Sequence, residues 1–458
     1  MVSSAKTLSH NAAVIARELD WLGHVMEQRF HAHSGKAEAQ EAVEKLHPPA
    51  LPAGAAPYAD VLRRFGLGPE ERLVLILAFA PYVRPEILDP FLIQNQSVQR
   101  RFTEFGGLTG QSHGGFLPTG QTAVFLLAGS DTWARLRLHG MFGAEHVFHT
   151  QNILSLDHRH AEEPPLAGAL RLSPEFVERL TTGADYHPPY SPEFPAQRIA
   201  TAHDWDDLVL DEAVRRDVED IVTWIRHGAV LMEDWGLKRR IKPGYRSLFF
   251  GPPGTGKTLT AALLGKATGM EVYRTDLSKV VSKYIGETEK NLARLFDHAQ
   301  HQNWILFFDE ADALFGKRTA TSSSNDRHAN QEIAYLLQRV EDFPGVVILA
   351  TNLVSNVDEA FTRRFQSMIH FPMPDVEQRL RLWNDNFRDK PYKLGRGVDL
   401  EAMARDYELS GGSIVNVLRY ACLQAVTRTP PRIETPDLLN GVRRELHKDG
   451  KFVNDPSR

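Results

Sequence analysis

The chain has little cysteine and no long apolar run. Cys422 is the one cysteine among 458 residues, so no disulfide can form within the chain, which fits a reducing compartment. The longest apolar run, Leu73–Val83, contains a proline and is much shorter than the roughly 20 residues that a membrane-spanning helix needs. Residues 1–23 lack the apolar stretch of a signal peptide. The sequence therefore predicts a cytoplasmic protein with no membrane span.

An excess of either charge is also missing. Lys and Arg total 53, Asp and Glu total 58, and the net charge is −5. Such a balance argues against a protein that coats nucleic acid generally, although the local basic cluster Lys238–Lys242 leaves a nucleic-acid partner open. Hydrophobic residues make up 42% of the chain, which is enough for sizeable folded cores.

The length allows two or three domains. Residues 181–203 are rich in proline and poor in periodic apolar residues, which predicts a linker. Before it, residues 1–180 are predicted to form a mainly helical, winged-helix-like region that recognises a substrate or partner, with a turn and a short strand within Gly114–Leu127. After it, we expect a large α/β domain at residues 204–374 and a small helical domain at residues 375–458.

The large domain alternates short apolar runs with helix-like segments. Strands that are buried on both faces of a parallel sheet have this appearance, because helices cover the sheet on both sides. The fold class is therefore predicted to be α/β with a parallel sheet. The predicted strands are Gly244–Phe250, Glu271–Thr275, Trp304–Asp309, Val346–Ala350 and Ser367–Phe371.

A glycine-rich loop follows the first of these strands and precedes a helix. Its pattern, G-x-x-x-x-G-K-[ST], lets backbone N–H groups and a helix N-terminus surround a phosphate. Lys257 can reach the β- and γ-phosphates of a nucleotide, and the Thr258 hydroxyl can ligate Mg²⁺. A chance glycine-rich turn is the alternative, but the strand before and the helix after favour phosphate binding. The predicted nucleotide-binding residues here are Gly251, Pro252, Pro253, Gly254, Thr255, Gly256, Lys257 and Thr258.

Acidic and amide side chains follow two further strands. Asp309 and Glu310 come at the carboxyl end of one strand, where ligands bind in open α/β sheets. Asp309 is suited to holding Mg²⁺ together with Thr258, and Glu310 is suited to polarising a water for attack on the γ-phosphate. Asn352 follows the next strand and is predicted to orient that water. These residues favour hydrolysis of ATP over binding alone.

Two adjacent arginines, Arg363 and Arg364, can supply the positive charge that a phosphoryl transition state needs. Taken alone, such a pair is more often a solvated surface feature. Only the order of the surrounding motifs favours a catalytic role for these two arginines over a solvated surface pair.

The chain resembles the AAA+ ATPases, and among them the AAA clade proper, from about Trp205 to the C-terminal region. The resemblance rests on "GPPGTGKT", "ILFFDEAD", "ATN", "VDEAFTRRF" and "LSGGSIVNVLRYA", in that order. It implies a P-loop ATPase domain followed by a small helical lid domain, with ATP and Mg²⁺ as cofactors. It also implies that His203–Leu210 lines the adenine pocket and that Gly412 lies near the nucleotide.

The same resemblance implies particular roles for the residues after the loop. Asp309 and Glu310 close the Walker B motif, and Asn352 is the sensor-1 residue. Arg363 and Arg364 are implied to be arginine fingers that reach the nucleotide of a neighbouring subunit, so that a homo-oligomeric ring, usually a hexamer, is the working unit. No arginine starts the "GGSI" helix, as is usual for the clade.

In similar proteins an aromatic residue after the second strand faces the pore of the ring. Here the resemblance places Lys283, Tyr284 and Ile285 in that loop, with residues 316–330 as a second candidate pore loop. An aromatic side chain can grip an extended polypeptide without reading its sequence; a buried tyrosine is the alternative for Tyr284. We therefore expect a machine that remodels or translocates a protein partner. A nucleic-acid motor or loader, and a nucleotide-gated scaffold without turnover, are the other hypotheses.

A narrower resemblance concerns the ATPases that accompany bacterial contractile injection systems, which are phage-tail-like particles. It rests on the wording of Gly244–Thr319, including "VYRTDLSKVVSKYIGETEKNL", and on "SNVDEAFTRRFQSMI". This resemblance implies that the protein partner is a component of such a particle.

Overall fold

The structure is a computed structural model. It describes residues 5–35, 47–52, 54–97, 99–110, 112–158, 162–184, 186–191, 194–277, 287–311, 334–352, 363–388, 392–448 and 450. The chain divides into two compact units, Met1–His187 and Pro188–Arg458. Within the described ranges, no helix has both the length and the apolar character needed to cross a membrane.

The first unit is mainly helical and has its own apolar core. Its α-helices are α1 (Ala5–His33), α2 (Pro57–Phe65), α3 (Pro69–Val83), α4 (Gly120–Ala128), α5 (Thr132–Leu138), α6 (Val147–Thr150) and α7 (Pro174–Thr181). Short 3₁₀ helices occupy Pro85–Leu92, Thr103–Phe105, His139–Phe142 and Pro165–Ala167. Its described residues also form three antiparallel strand pairs: β1 (Gln94–Asn95) with β2 (Arg100–Arg101), β3 (Leu108–Thr109) with β4 (Phe116–Leu117), and β5 (Leu154–Asp157) with β6 (Ala169–Leu172).

The stretch Gly114–Leu127 differs in part from its predicted turn and strand. The strand is only the two residues of β4, and the chain then enters helix α4. The change is caused by Thr119, because its hydroxyl accepts a hydrogen bond from the Thr122 backbone N–H while the Thr122 hydroxyl accepts one from the Thr119 N–H. This reciprocal cap satisfies donors at the helix start, so an apolar run that suits a strand becomes a buried helix.

The second unit contains a six-stranded sheet with the order β12-β8-β11-β10-β9-β7. All neighbours pair in parallel except the edge pair of β7 and β9, which is antiparallel. The predicted α/β fold with a parallel sheet is confirmed, and each predicted strand is found within one residue of its expected ends. The strands are β7 (Gln197–Ile199), β8 (Tyr245–Phe250), β9 (Val272–Asp276), β10 (Ile305–Asp309), β11 (Val346–Thr351) and β12 (Ser367–His370).

Strand β7 lies inside the segment predicted to be a linker, residues 181–203. It pairs Arg198 with Tyr273 and Ile199 with Val272 along the edge of the sheet. Three residues at an edge carry too little apolar periodicity to stand out among the neighbouring prolines. The sheet of this unit therefore begins before residue 204.

Both faces of the sheet are buried at its centre, since alternate residues of β8, β9, β10 and β11 enter different cores. In β10, Phe308 belongs to one core and Phe307 to the other. Helices cover the two faces of the sheet. The helices that follow β12 form a C-terminal bundle whose core includes the fully buried Trp383. The helices are α8 (Glu212–Ala229), which continues as a π-helical turn (Val230–Asp234), α9 (Lys257–Thr268), α10 (Glu287–Gln302), residues 334–342, α11 (Val376–Phe387), α12 (Leu400–Asp406), α13 (Gly411–Ala425) and α14 (Thr435–Lys448). Short 3₁₀ turns occupy Trp205–Asp207 and Leu237–Arg239, and a parallel pair, β13 (Lys393–Leu394) with β14 (Arg432–Ile433), lies in the bundle.

Candidate functional site

The glycine-rich loop leaves β8 at Gly251 and enters helix α9 at Lys257. Gly251 has φ of +143° in a position where an added Cβ would lie 2.1 Å from the Phe371 carbonyl oxygen. Only glycine fits there, because any side chain would both strain the backbone and collide with it. The requirement explains why the loop starts with glycine directly after the strand.

The Lys257 side chain is buried under the loop, with 7% of the residue exposed. Its Nζ donates hydrogen bonds to the Gly251 and Pro252 carbonyl oxygens at 2.7 and 2.8 Å. The Thr255 hydroxyl also donates to the Pro252 carbonyl, at 2.9 Å. The ammonium group is thus held at the inner side of the loop, where the phosphate is predicted to bind.

A cleft of about 660 Å³ brings most of the predicted residues together. That volume is in the range of small-molecule sites. The cleft is also lined by the segment predicted to form the adenine pocket, including His203, Leu208 and Leu210. The predicted site residues that line it are Pro253, Gly254, Thr255, Gly256, Lys257, Thr258, Asp309, Glu310, Asn352 and Gly412.

The two acidic residues at the end of β10 have different surroundings. Asp309 has 16% of its side chain exposed and forms an ion pair with Arg274, whose Nη2 lies 2.8 Å from Oδ2. Its Oδ1 accepts a hydrogen bond from the Glu310 backbone N–H at 3.0 Å. Glu310 is exposed and has φ of +53°. Such a left-handed conformation costs a non-glycine residue on the order of 1 kcal/mol and is concentrated at functional sites.

The C-terminal bundle contacts the loop directly. The Gly412 backbone N–H, in the first turn of α13, donates to the Gly254 carbonyl oxygen at 2.9 Å. Ser410 caps this helix by accepting a hydrogen bond from the Ser413 N–H at 3.2 Å. Gly254 has φ of +76°, and a Cβ there would lie 2.6 Å from the Ser410 hydroxyl. The close approach of loop and helix thus depends on glycine at position 254.

The donor set at the predicted metal position fits Mg²⁺. Thr258 and Asp309 line the same cleft and present only oxygen atoms, which this ion prefers. Few protein ligands are expected, because Mg²⁺ keeps several waters and binds phosphate oxygens of its substrate.

The two arginines lie elsewhere. Arg363 and Arg364 are both exposed, and neither is among the described residues that line the cleft. The Arg364 Nε lies 2.8 Å from the Glu341 Oε1. Their predicted action on the nucleotide of a neighbouring subunit stays a prediction.

The predicted pore residues Lys283, Tyr284 and Ile285 lie outside the described residues, as does the loop at 316–330. Their predicted roles in the pore therefore stay predictions.

Arg274 is a residue that the sequence reasoning missed. It stands between Val272 and Asp276 on one face of β9, the face whose neighbour on β10 is Phe307. A charged residue in that apolar alternation is the signal that could have identified it.

Comparison with known proteins agrees with this geometry. Residues 247–373 match the family described as "ATPase family associated with various cellular activities (AAA)". An uncharacterised AAA family ATPase of Sinorhizobium fredii is 32% identical over 232 residues, which are 50% of this chain and 66% of that protein. A protein of Danio rerio named for the katanin p60 ATPase is 32% identical over 49% of this chain and 47% of its own length. The proteasome-activating nucleotidase of Methanopyrus kandleri is 31% identical over 53% of this chain and 56% of its own length.

The chain thus spans less than two thirds of the length of each of these relatives. The matched segment begins in β8, ahead of the phosphate loop, and ends just after β12, so it contains the loop, the acidic pair and the two arginines. The expected resemblance is confirmed at the level of this domain. Over residues 247–373, the chain therefore carries the sequence of an AAA ATPase domain.

Proposed function

We propose that the chain binds ATP in the cleft, hydrolyses it, and uses the resulting movement to remodel or translocate a protein partner. The observation that carries the proposal is the hydrogen bond between Gly412 and Gly254, since it joins the phosphate loop to the helical bundle. A change at the γ-phosphate can then alter the position of the bundle.

Each side chain in the cleft has a task in this reaction. Lys257 and the N-terminus of α9 bind the phosphates, and Glu310 accepts a proton from the attacking water. Asn352 orients that water. Thr258 and Asp309 would hold Mg²⁺, which neutralises charge on the β- and γ-phosphates when bound.

Arg363 and Arg364 complete the site from a neighbouring subunit in a homo-oligomeric ring, which we take to be a hexamer. Support comes from their position, because both are exposed and absent from the described lining of the cleft, which contains most of the other predicted nucleotide-site groups. A head-to-tail contact between identical chains closes into a ring when its rotation permits.

The partner is proposed to be a protein that Tyr284, flanked by Lys283 and Ile285, grips in the pore. One relative is named a proteasome-activating nucleotidase. The narrower resemblance supports a component of a contractile injection system as the partner. The chain would bind this partner in the cytoplasm.

The basic cluster that favours a nucleic-acid partner is partly neutralised within the chain. The Lys238 Nζ lies 2.8 Å from Glu233 Oε1, and the Lys242 Nζ lies 2.8 Å from Asp342 Oδ1. Two of its cations are therefore engaged in local ion pairs, and we favour the protein partner.

The proposal is tested by measuring ATP turnover with an unfolded polypeptide and, separately, with single-stranded DNA and RNA. We expect the polypeptide to stimulate turnover in the intact chain, and Tyr284→Ala to keep basal turnover while losing this stimulation. Leu423→Ala is the matched control, because Leu423 is exposed on α13 and does not line the cleft. Stimulation by nucleic acid alone, with a steep dependence on salt, would overturn the protein-partner proposal.

A further inference from the structure

We propose that Arg274 is a positioning residue for ATP hydrolysis, which holds the Asp309 carboxylate so that Asp309 fixes the backbone of Glu310. The inference rests on the proposed function only in requiring that the chain hydrolyses ATP. Arg274 lies on β9, next to the strand that carries the acidic pair.

The register of the sheet explains how the arginine reaches its partner. Arg274 pairs with Phe307 across β9 and β10, and Asp309 lies two residues further along β10 on the same face. A long side chain can reach a diagonal neighbour on the same face of a sheet. The guanidinium Nη2 accordingly lies 2.8 Å from the Asp309 Oδ2.

The environment of Arg274 makes this contact specific. Its Nε is buried with no hydrogen-bond partner among the described residues, and Asp309 is the ion-pair partner that the structure gives it. The side chain as a whole is partly exposed, at 41%, but its guanidinium lies against the Asp309 carboxylate, which lines the cleft.

The contact constrains both oxygens of Asp309. With Oδ2 on Arg274, the other oxygen, Oδ1, accepts the hydrogen bond from the Glu310 N–H at 3.0 Å. That bond supports the left-handed backbone of Glu310, at φ of +53°. Arg274 therefore acts through Asp309 on the direction in which the Glu310 carboxylate leaves the strand.

The experiment compares three variants with the intact chain. Arg274→Met removes the guanidinium and keeps an unbranched stem, and Arg274→Lys keeps one cationic donor. Arg198→Met is the matched control, since the Arg198 Nε lies 3.0 Å from the Oε1 of Glu271, just before β9, and neither residue lines the cleft. The readouts are kcat and KM for ATP, the melting temperature, and amide hydrogen exchange in a peptide that covers residues 305–311.

We expect Arg274→Met to lower kcat about tenfold or more, as the loss of a partner that orients a metal-ligating carboxylate commonly does. KM for ATP should change less than about threefold, because the phosphate loop is untouched. Exchange at the Glu310 amide should become faster, and Arg274→Lys should recover most of kcat. Arg198→Met should match the intact chain in kcat and in exchange at residue 310.

Unchanged kcat and unchanged exchange in Arg274→Met would overturn the inference. So would equal loss of kcat in the methionine and lysine variants accompanied by a lower melting temperature, since that outcome marks a role in folding. An intact chain without ATP turnover would refute the proposed function instead, while the exchange comparison would still decide whether Arg274 fixes Glu310.

Discussion

The Gly412 N–H and the Gly254 carbonyl oxygen are 2.9 Å apart, so the first turn of α13 is hydrogen-bonded to the phosphate loop. A Cβ on Gly412 would lie 3.0 Å from the Gly254 Cα, which is too close for the present spacing. The helical bundle and the loop therefore meet through a backbone hydrogen bond at close range, and small side-chain changes there act directly on the nucleotide site.

Gly412→Ala is expected to weaken ATP binding. The added methyl group forces the helix and the loop apart by a few tenths of an ångström and weakens their hydrogen bond, whose loss costs about 0.5–1.5 kcal/mol, or roughly 2- to 10-fold in affinity. Binding of a fluorescent ATP analogue measures the effect. Gly411→Ala is the control, because its Cβ would meet the Gly254 oxygen at an ordinary 3.5 Å. Equal affinities in the two variants would contradict the prediction.

Glu310→Gln is expected to bind ATP normally and to lower turnover about 10²- to 10⁴-fold, as the loss of a general base commonly does. The amide keeps the size of the side chain and leaves the backbone hydrogen bond to Asp309 in place. Phosphate release and analogue binding are measured together. Glu271→Gln, which changes an acid paired with Arg198 outside the cleft, should turn over normally. Normal turnover in Glu310→Gln would remove Glu310 as the group that activates water.

Arg363→Ala is expected to bind ATP and to hydrolyse it about 10³-fold more slowly or worse, because the transition-state charge loses a guanidinium. If the arginine acts on a neighbouring subunit, mixing Arg363→Ala chains with Glu310→Gln chains should restore turnover in part. Each contact in which an Arg363→Ala chain supplies the pocket and a Glu310→Gln chain supplies the arginine then has an intact glutamate and an intact arginine.

The control for this mixture replaces the second chain with one that has both substitutions, which should restore nothing. The same pair of mixtures made with Arg364→Ala shows which arginine is responsible. Failure of every mixture to recover, with assembly intact, would argue that the arginines act within their own chain.

The bundle is expected to lose stability in acid through Asp437. Hydrogen bonds from Arg428, and then from the Glu434 N–H, hold the pKa of the buried Asp437 carboxyl below its usual value. A lowered folded-state pKa means that the stabilisation is present above the unfolded pKa, near 4, and is lost as the pH falls through the folded pKa. Asp437→Asn should therefore lower the melting temperature at pH 7, by a modest amount because Arg428 is partly exposed. The gap between variant and intact chain should narrow below pH 4; a constant gap would contradict this origin.

The strands and the phosphate loop could be predicted because their signals are local. Short apolar runs fix each strand to within one residue of its ends, and the whole phosphate-loop pattern lies in eight consecutive residues, Gly251–Thr258. The ATPase assignment is confirmed on the same motifs. These features depend on neighbours in the chain, or on a pattern whose chemistry is general.

Other features depend on contacts between distant residues. Arg274 and Asp309 are far apart in sequence, and only the register of β9 and β10 brings them together. The left-handed backbone of Glu310 could not be predicted from the residue type, since glutamate rarely adopts a positive φ. The sequence predicts helix α4 only in part, because its apolar run suits a strand or a helix and the cap at Thr119 decides between them.

The strained backbone of Glu310 also implies a trade-off between thermal stability and catalytic turnover. Glycine adopts its dihedral angles without strain, so Glu310→Gly relieves a local cost while removing the group that handles the water. Screens of this chain for thermal stability alone would favour such replacements and would yield variants without ATPase activity. Directed evolution of the chain must therefore select for catalysis and thermal tolerance together.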